Sequence, residues 1–148
     1  MRKMFEEIKN DGKTIAIIVR NDYQKEGVSF FTPNDFSQQL AFMSHEKGKV
    51  IPPHFHNKIP RVIHFTKEVL FIKKGQLRVD FYDEDKNYLE SRVLNVGDII
   101  LLVSGGHGFE ALDDLEMFEV KQGPFYPEKD KIRFEAVAKE KILIKPSP

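Results

Sequence analysis

Two histidines separated by one residue, His54 and His56, and the glutamate Glu68 are the residues whose types and spacing could do chemistry. In an extended segment, positions two apart share a face about 7 Å apart along the strand. Two imidazoles so placed can tilt toward one ion at metal–nitrogen distances of about 2.1 Å. A carboxylate from a neighbouring strand adds an oxygen donor. The stretch from Gly48 to Gly75 therefore reads as half of a metal site built on sheet, needing a further ligand from elsewhere. The chain has no cysteine, which excludes thiolate sites, disulfides and a cysteine nucleophile, so any ion must be held by nitrogen and oxygen.

The elements that must position these groups follow a period of two. Apolar and β-branched stretches recur at Thr14–Arg20, Gln39–Ser44, Lys49–His56, Arg61–Thr66, Glu68–Lys73, Gln76–Tyr82, Tyr88–Leu94, Asp98–Val103, Gly108–Leu112 and Leu115–Gln122. Between them stand turn residues such as Asn10-Asp11-Gly12, Glu46-Lys47-Gly48, Lys74-Gly75 and Gly105-Gly106. Many short strands at this spacing predict an all-β sandwich or barrel. Pro33–Gln38 has room for one short helical turn, and Ile132–Val137 and Ile142–Ile144 for short added strands or for packing on a partner. Pro52 and Pro53 remove two N–H donors, which places the histidines at a sheet edge or barrel mouth. Leu70 and Ile72 share a face with Glu68, while Val69 and Phe71 point the other way. Both faces being apolar predicts a strand covered on both sides, the outer cover being an N-terminal hairpin, a second layer or a subunit interface.

Length and composition bound the rest. At 148 residues with 41% hydrophobic and 31% charged residues, the chain fits one domain spanning 1–148 with a real core. Lys+Arg and Asp+Glu both total 23, so no global field favours nucleic acid or an anionic membrane. No basic stripe is interleaved with aromatics, and no glycine loop is followed by Lys-Ser/Thr. The start, MRKMFEEIKNDG, lacks an apolar signal core, and no apolar run is long enough to span a membrane, so a cytoplasmic setting is expected.

The segment resembles the first motif of the cupin superfamily: a glycine, five residues, His-x-His, a spacer, then Glu, six residues and Gly. Gly48, His54, His56, Glu68 and Gly75 fit this pattern, but eleven residues (Asn57–Lys67) separate His56 from Glu68 where the family usually has three or four. A second motif is matched more loosely: Gly97 is followed by Val103 where proline is expected, and His107 arrives one residue early. The two motifs and the stretch between them cover roughly half the chain, with a metal-site core over about 39–122. The resemblance implies a single-domain jelly-roll β-barrel (a double-stranded β-helix) holding one divalent metal, Fe, Mn, Ni, Zn or Co, on His54, His56, Glu68 and His107. It implies similarity to small cupins of sugar and polysaccharide metabolism.

Each assignment has a plainer counterpart. His54 and His56 could be loop histidines, Glu68 an ordinary strand-start carboxylate, and His107 a polar turn residue. An unpaired Glu68 on the face of Leu70 and Ile72 would be costly to bury, and a metal resolves that cost. Glu110 is the substitute fourth ligand, although alternation points it away from the face of His107, Phe109 and Ala111. His64 lies too far from Glu68 along an extended run to share its ion, and His45 belongs to a solvated turn. Lys58 and Arg61, on the long spacer, could receive a phosphate or carboxylate at the mouth, or simply be solvated. Glu110, His64 and Tyr82 are the candidates for a general base. The expected function is metal-assisted isomerisation or epimerisation of a small polar metabolite, neutral or anionic, such as a sugar or sugar nucleotide, in a homodimer. Non-catalytic capture or sensing of a small ligand is the alternative, and oxygen-dependent oxidation by iron the third.

Overall fold

The computed structural model describes residues 5–148; the first four residues of the expected domain lie outside the described residues. The chain is all-β, with ten strands and a single turn of 3-10 helix at Lys139–Lys141 among the described residues. β1 (Phe5–Asn10) and β2 (Lys13–Val19) form the expected N-terminal hairpin. β3 (Gly27–Phe30) and β4 (Ala41–Ser44) form a second, separate pair. The remaining strands are β5 (Glu68–Lys74), β6 (Leu77–Tyr82), β7 (Tyr88–Leu94), β8 (Ile99–Leu102), β9 (Gly106–Ala111) and β10 (Glu116–Lys121).

Three antiparallel sheets result, in the orders β1-β2-β8-β5-β10, β3-β4 and β7-β6-β9, and none closes on itself. The two larger sheets share one core. Ala16, Ile18, Leu70, Ile72, Ile100 and Leu102 enter from the first, and Leu77, Val79, Phe81 and Leu94 from the second. Each large side chain buried here contributes about 1.5–3 kcal/mol. At one side of this core, the β1–β2 hairpin is tied to the β7–β8 turn by ion pairs. Arg20 donates to Glu6 (2.5 Å) and Asp98 (2.9 Å), and Arg92 to Glu6 (3.3 Å). At the other side, β9 and β10 are the outer strands of their sheets, and no described strand pairs with their free edges.

The structure differs from the sequence reading between β4 and β5. The strands expected at Lys49–His56 and Arg61–Thr66 are absent, and 45–67 has no regular secondary structure. A strand needs a hydrogen-bonding neighbour, and Pro52, Pro53 and Pro60 offer no N–H to one. Every residue from Met43 through Phe65 is exposed. Pro33–Gln38 forms turns, one closed by Phe36 N–H to the Pro33 carbonyl, instead of helix. The tail carries only an isolated bridge between Ile144 and Ser91, where the Ser91 N–H donates to the Leu143 carbonyl and the Lys145 N–H to the Ser91 carbonyl. Its Phe134 packs edge-on against Tyr82. The outer face of β5 and β10 is not covered as expected: Phe71, Phe118 and Val120 are exposed. No helix among the described residues is long and apolar enough to cross a membrane.

Candidate functional site

Glu68 opens β5 and His107 is the second residue of β9, so they come from opposing sheets at the open side of the core. Alternation explains their meeting. Glu68 shares the inward face of Leu70 and Ile72, and His107 sits opposite Phe81 in the β6–β9 register. His107 Nε2 stands 3.2 Å from Glu68 Oε2, with Glu68 buried and His107 near the surface. The hydrogen bond from His107 holds the Glu68 carboxyl below the usual glutamate range. It outweighs the burial that acts the other way, and Lys131 and Lys121 add to it. Phe109, 5.2 Å from the His107 ring, supports the imidazole.

Two further ionisable groups belong to this mouth, and the sequence reading missed them. Lys121 is the direct β10 partner of Glu68, and Glu119 lies two residues before it on the same face, 3.5 Å from the Lys121 ammonium. The signal was present in EMFEVK: alternation puts Met117, Glu119 and Lys121 on one face, and two charges on an inward face are unusual. Beside His107 lies a hollow of about 30 Å³, bounded by Thr66, Leu102, Val103, Ser104 and Gly105, with room for about one water. A larger hollow of about 310 Å³ lies on Gln24, Lys25, Glu26, Phe42 and Ser44 and includes none of the candidate donors.

His54 and His56 are placed together, but away from Glu68 and His107. They lie on the exposed arm, with ring centroids 5.4 Å apart and planes at 78°. His54 Nδ1 is 3.0 Å from the Pro52 carbonyl, which only accepts, so Nδ1 carries the proton and the Nε2 lone pair faces outward. Metal-binding histidines are commonly oriented in this way. Among the described residues, no group of three or more His, Cys, Asp or Glu side chains stands close enough to hold an ion. The expected donor set is therefore divided into two pairs.

The other candidates are placed apart from the Glu68–His107 pair. Glu110 points to the opposite face of β9 from His107 and pairs with Arg78 at 2.5 Å. Tyr82 is buried, its hydroxyl accepting the Val137 N–H at 3.0 Å, so the tail occupies it. His64, Lys58 and Arg61 are exposed on the arm. The arm's root is fixed to the body: Gln122 N–H donates to the Lys67 carbonyl, Thr66 to Asp130, and Lys67 to Ser37. No family model, curated protein or solved structure matches this chain.

Proposed function

We propose that the protein is a small metal-dependent enzyme of the cupin type, a jelly-roll in its complete form, acting on a small polar metabolite such as a sugar or sugar nucleotide. The observation that carries this reading is the Glu68–His107 pair, a carboxylate and an imidazole delivered by two opposing sheets to one mouth. Their donor chemistry suits a divalent transition ion such as Fe, Mn, Ni, Zn or Co. Two donors are fewer than the three protein ligands a catalytic ion usually has, so the fit depends on His54 and His56 joining them. A bound ion would supply Lewis-acid polarisation of a substrate carbonyl.

The chain's own residues have separate tasks. The Lys121 ammonium, opposite Glu68, attracts an anionic or carbonyl oxygen. His107 Nε2 faces Glu68 at 3.2 Å, so the two would present a nitrogen and an oxygen donor to one ion, the imidazole binding through its unprotonated Nε2. Because the hollow beside it holds only about one water, a metabolite binds across the mouth, with Lys58 and Arg61 available from the arm for its anionic groups.

Elemental analysis of protein purified without chelator, with turnover assays on a panel of sugars and keto acids, tests the reading. About one transition ion per chain is expected, with loss of ion and turnover in Glu68→Gln and in His54→Ala. Protein that neither contains nor takes up an ion ends the proposal. One observation favours non-catalytic capture instead: the Glu68–His107 mouth is open to water, whereas catalytic sites commonly exclude it. Tight metabolite binding without turnover would select that alternative.

A further inference from the structure

The arm and the open sheet edges complement each other, and we infer that they are exchanged between copies. Residues 45–67 of one chain lie along the β9–β10 opening of a second chain, and the second returns the same arm. Each site is then built from Glu68 and His107 of one copy with His54 and His56 of the other. The inference rests on the metal reading only for the role of the two histidines; the exchange itself stands on burial, edges and charge.

Burial comes first. The arm exposes Val50, Ile51, Phe55, Ile59, Val62 and Phe65, with Phe55 at 87% and Val62 at 82%. A contiguous run of this kind marks a surface that is covered in use. The opening has the matching deficit, for Phe109, Leu112 and Met117 are exposed along β9 and β10. Edges come second. β9 and β10 each present a row of backbone groups with no described strand beside it, the template an extended segment pairs with.

Charge comes third. Between His45 and Lys67 the arm has five Lys and Arg residues against one acid, Glu46. From Gly106 to Lys121 the edge strands and their turn have five acids and one cation, Lys121. Three of those acids, Glu110, Glu116 and Glu119, already face cations of neighbouring strands, so the surplus for the arm centres on Asp113 and Asp114 at the β9–β10 turn.

A second copy is the occupant because the single chain carries both parts and does not join them. The arm's root is tied beside β10, yet every residue from Met43 through Phe65 lies exposed, off its own edges. Three prolines stiffen the arm against folding back. Two identical chains satisfy both requirements with one contact made twice, as in domain swapping.

The absence of cysteine gives a clean test. Chains with Phe55→Cys are refolded together with chains carrying Phe109→Cys, or Met117→Cys as a second position, and treated with a short bismaleimide. The expected results are a native scattering mass of twice the 17.2 kDa chain and a covalent pair joining one chain of each kind. A mass of one chain at all concentrations overturns the exchange. So does a chain carrying both cysteines that joins them internally, or a dimer with no link from 55 to either position. Cobalt(II) binding separates this from the metal reading. Chains with His54→Ala and His56→Ala are mixed with chains carrying Glu68→Gln and His107→Ala. Binding that rises from none in either parent to one ion per mixed dimer supports exchange, because only exchange leaves one intact site. If the cysteine variants cross-link as expected while the dimer of native sequence binds no cobalt, the exchange stands and the metal reading ends.

Discussion

Glu90 is held ionised by two cations from different parts of the chain, Arg92 at 3.0 Å and Lys145 at 2.7 Å. Burial acts to raise its pKa, but the hydrogen bonds from Lys145 and Arg92 outweigh it, so the carboxyl sits below the usual glutamate range. A carboxyl depressed by folding stabilises the native state above its unfolded pKa, and that stabilisation is lost as pH falls through the folded value. Urea denaturation from pH 7 downward is therefore expected to show a smaller acid-side loss for Glu90→Gln than for the native chain. At neutral pH the variant is expected to be less stable by about 1 kcal/mol. The Lys145 pairing was not legible in the sequence, because nothing at Glu90 marks a partner 55 residues away. Glu68 was legible from alternation, which puts it on the face of Leu70 and Ile72, whereas His107 was marked by the cupin resemblance, with alternation giving only the face it shares with Phe109 and Ala111. Tyr82 was misleading as a general base: its chemistry suits the role, and its place under the tail does not.

At the scale of elements, the turns were the easiest feature to read, and Gly75 shows why. It joins β5 to β6 at φ +78°, and a Cβ there would stand 2.2 Å from the Asp114 carbonyl oxygen. Gly75→Ala thus meets both left-handed strain and the backbone of the β9–β10 turn. A loss of at least about 2 kcal/mol in urea denaturation is expected. Phe81, fully buried between the sheets, is expected to cost about 3–5 kcal/mol when replaced by alanine, read as a fall in the denaturation midpoint at unchanged slope. Eight of the ten strands lie where alternation and turn chemistry predict, and the N-terminal hairpin supplies β1. β3 was missed because four residues, Gly27–Phe30, give too short a pattern. The strands expected in the arm fail for another reason. Lys49–His56 has a strand's composition, but composition supplies no neighbour to pair with.

At the scale of the molecule, the proposed exchange would make the arm's accessibility depend on assembly. Lys49, Lys58 and Arg61 are exposed in the single chain and would be covered in the exchanged pair. Brief trypsin treatment is expected to cut between residues 47 and 61 rapidly in dilute protein and several-fold more slowly in concentrated protein, followed by mass spectrometry. The all-β class and a shared core were legible from period and composition. The closed barrel that the cupin resemblance implies is not shown: among the described residues three sheets form and none closes on itself.

The strand order also has a consequence in time. β2 pairs with β8 and β5 with both β8 and β10, so the larger sheet joins segments far apart in the chain. Non-local pairings of this kind close slowly, on the order of milliseconds to seconds. Neighbouring chains can meet within that interval while their edges are still open. Under the proposed exchange, the protein concentration during refolding, as well as the concentration afterwards, would then set how many chains end in pairs.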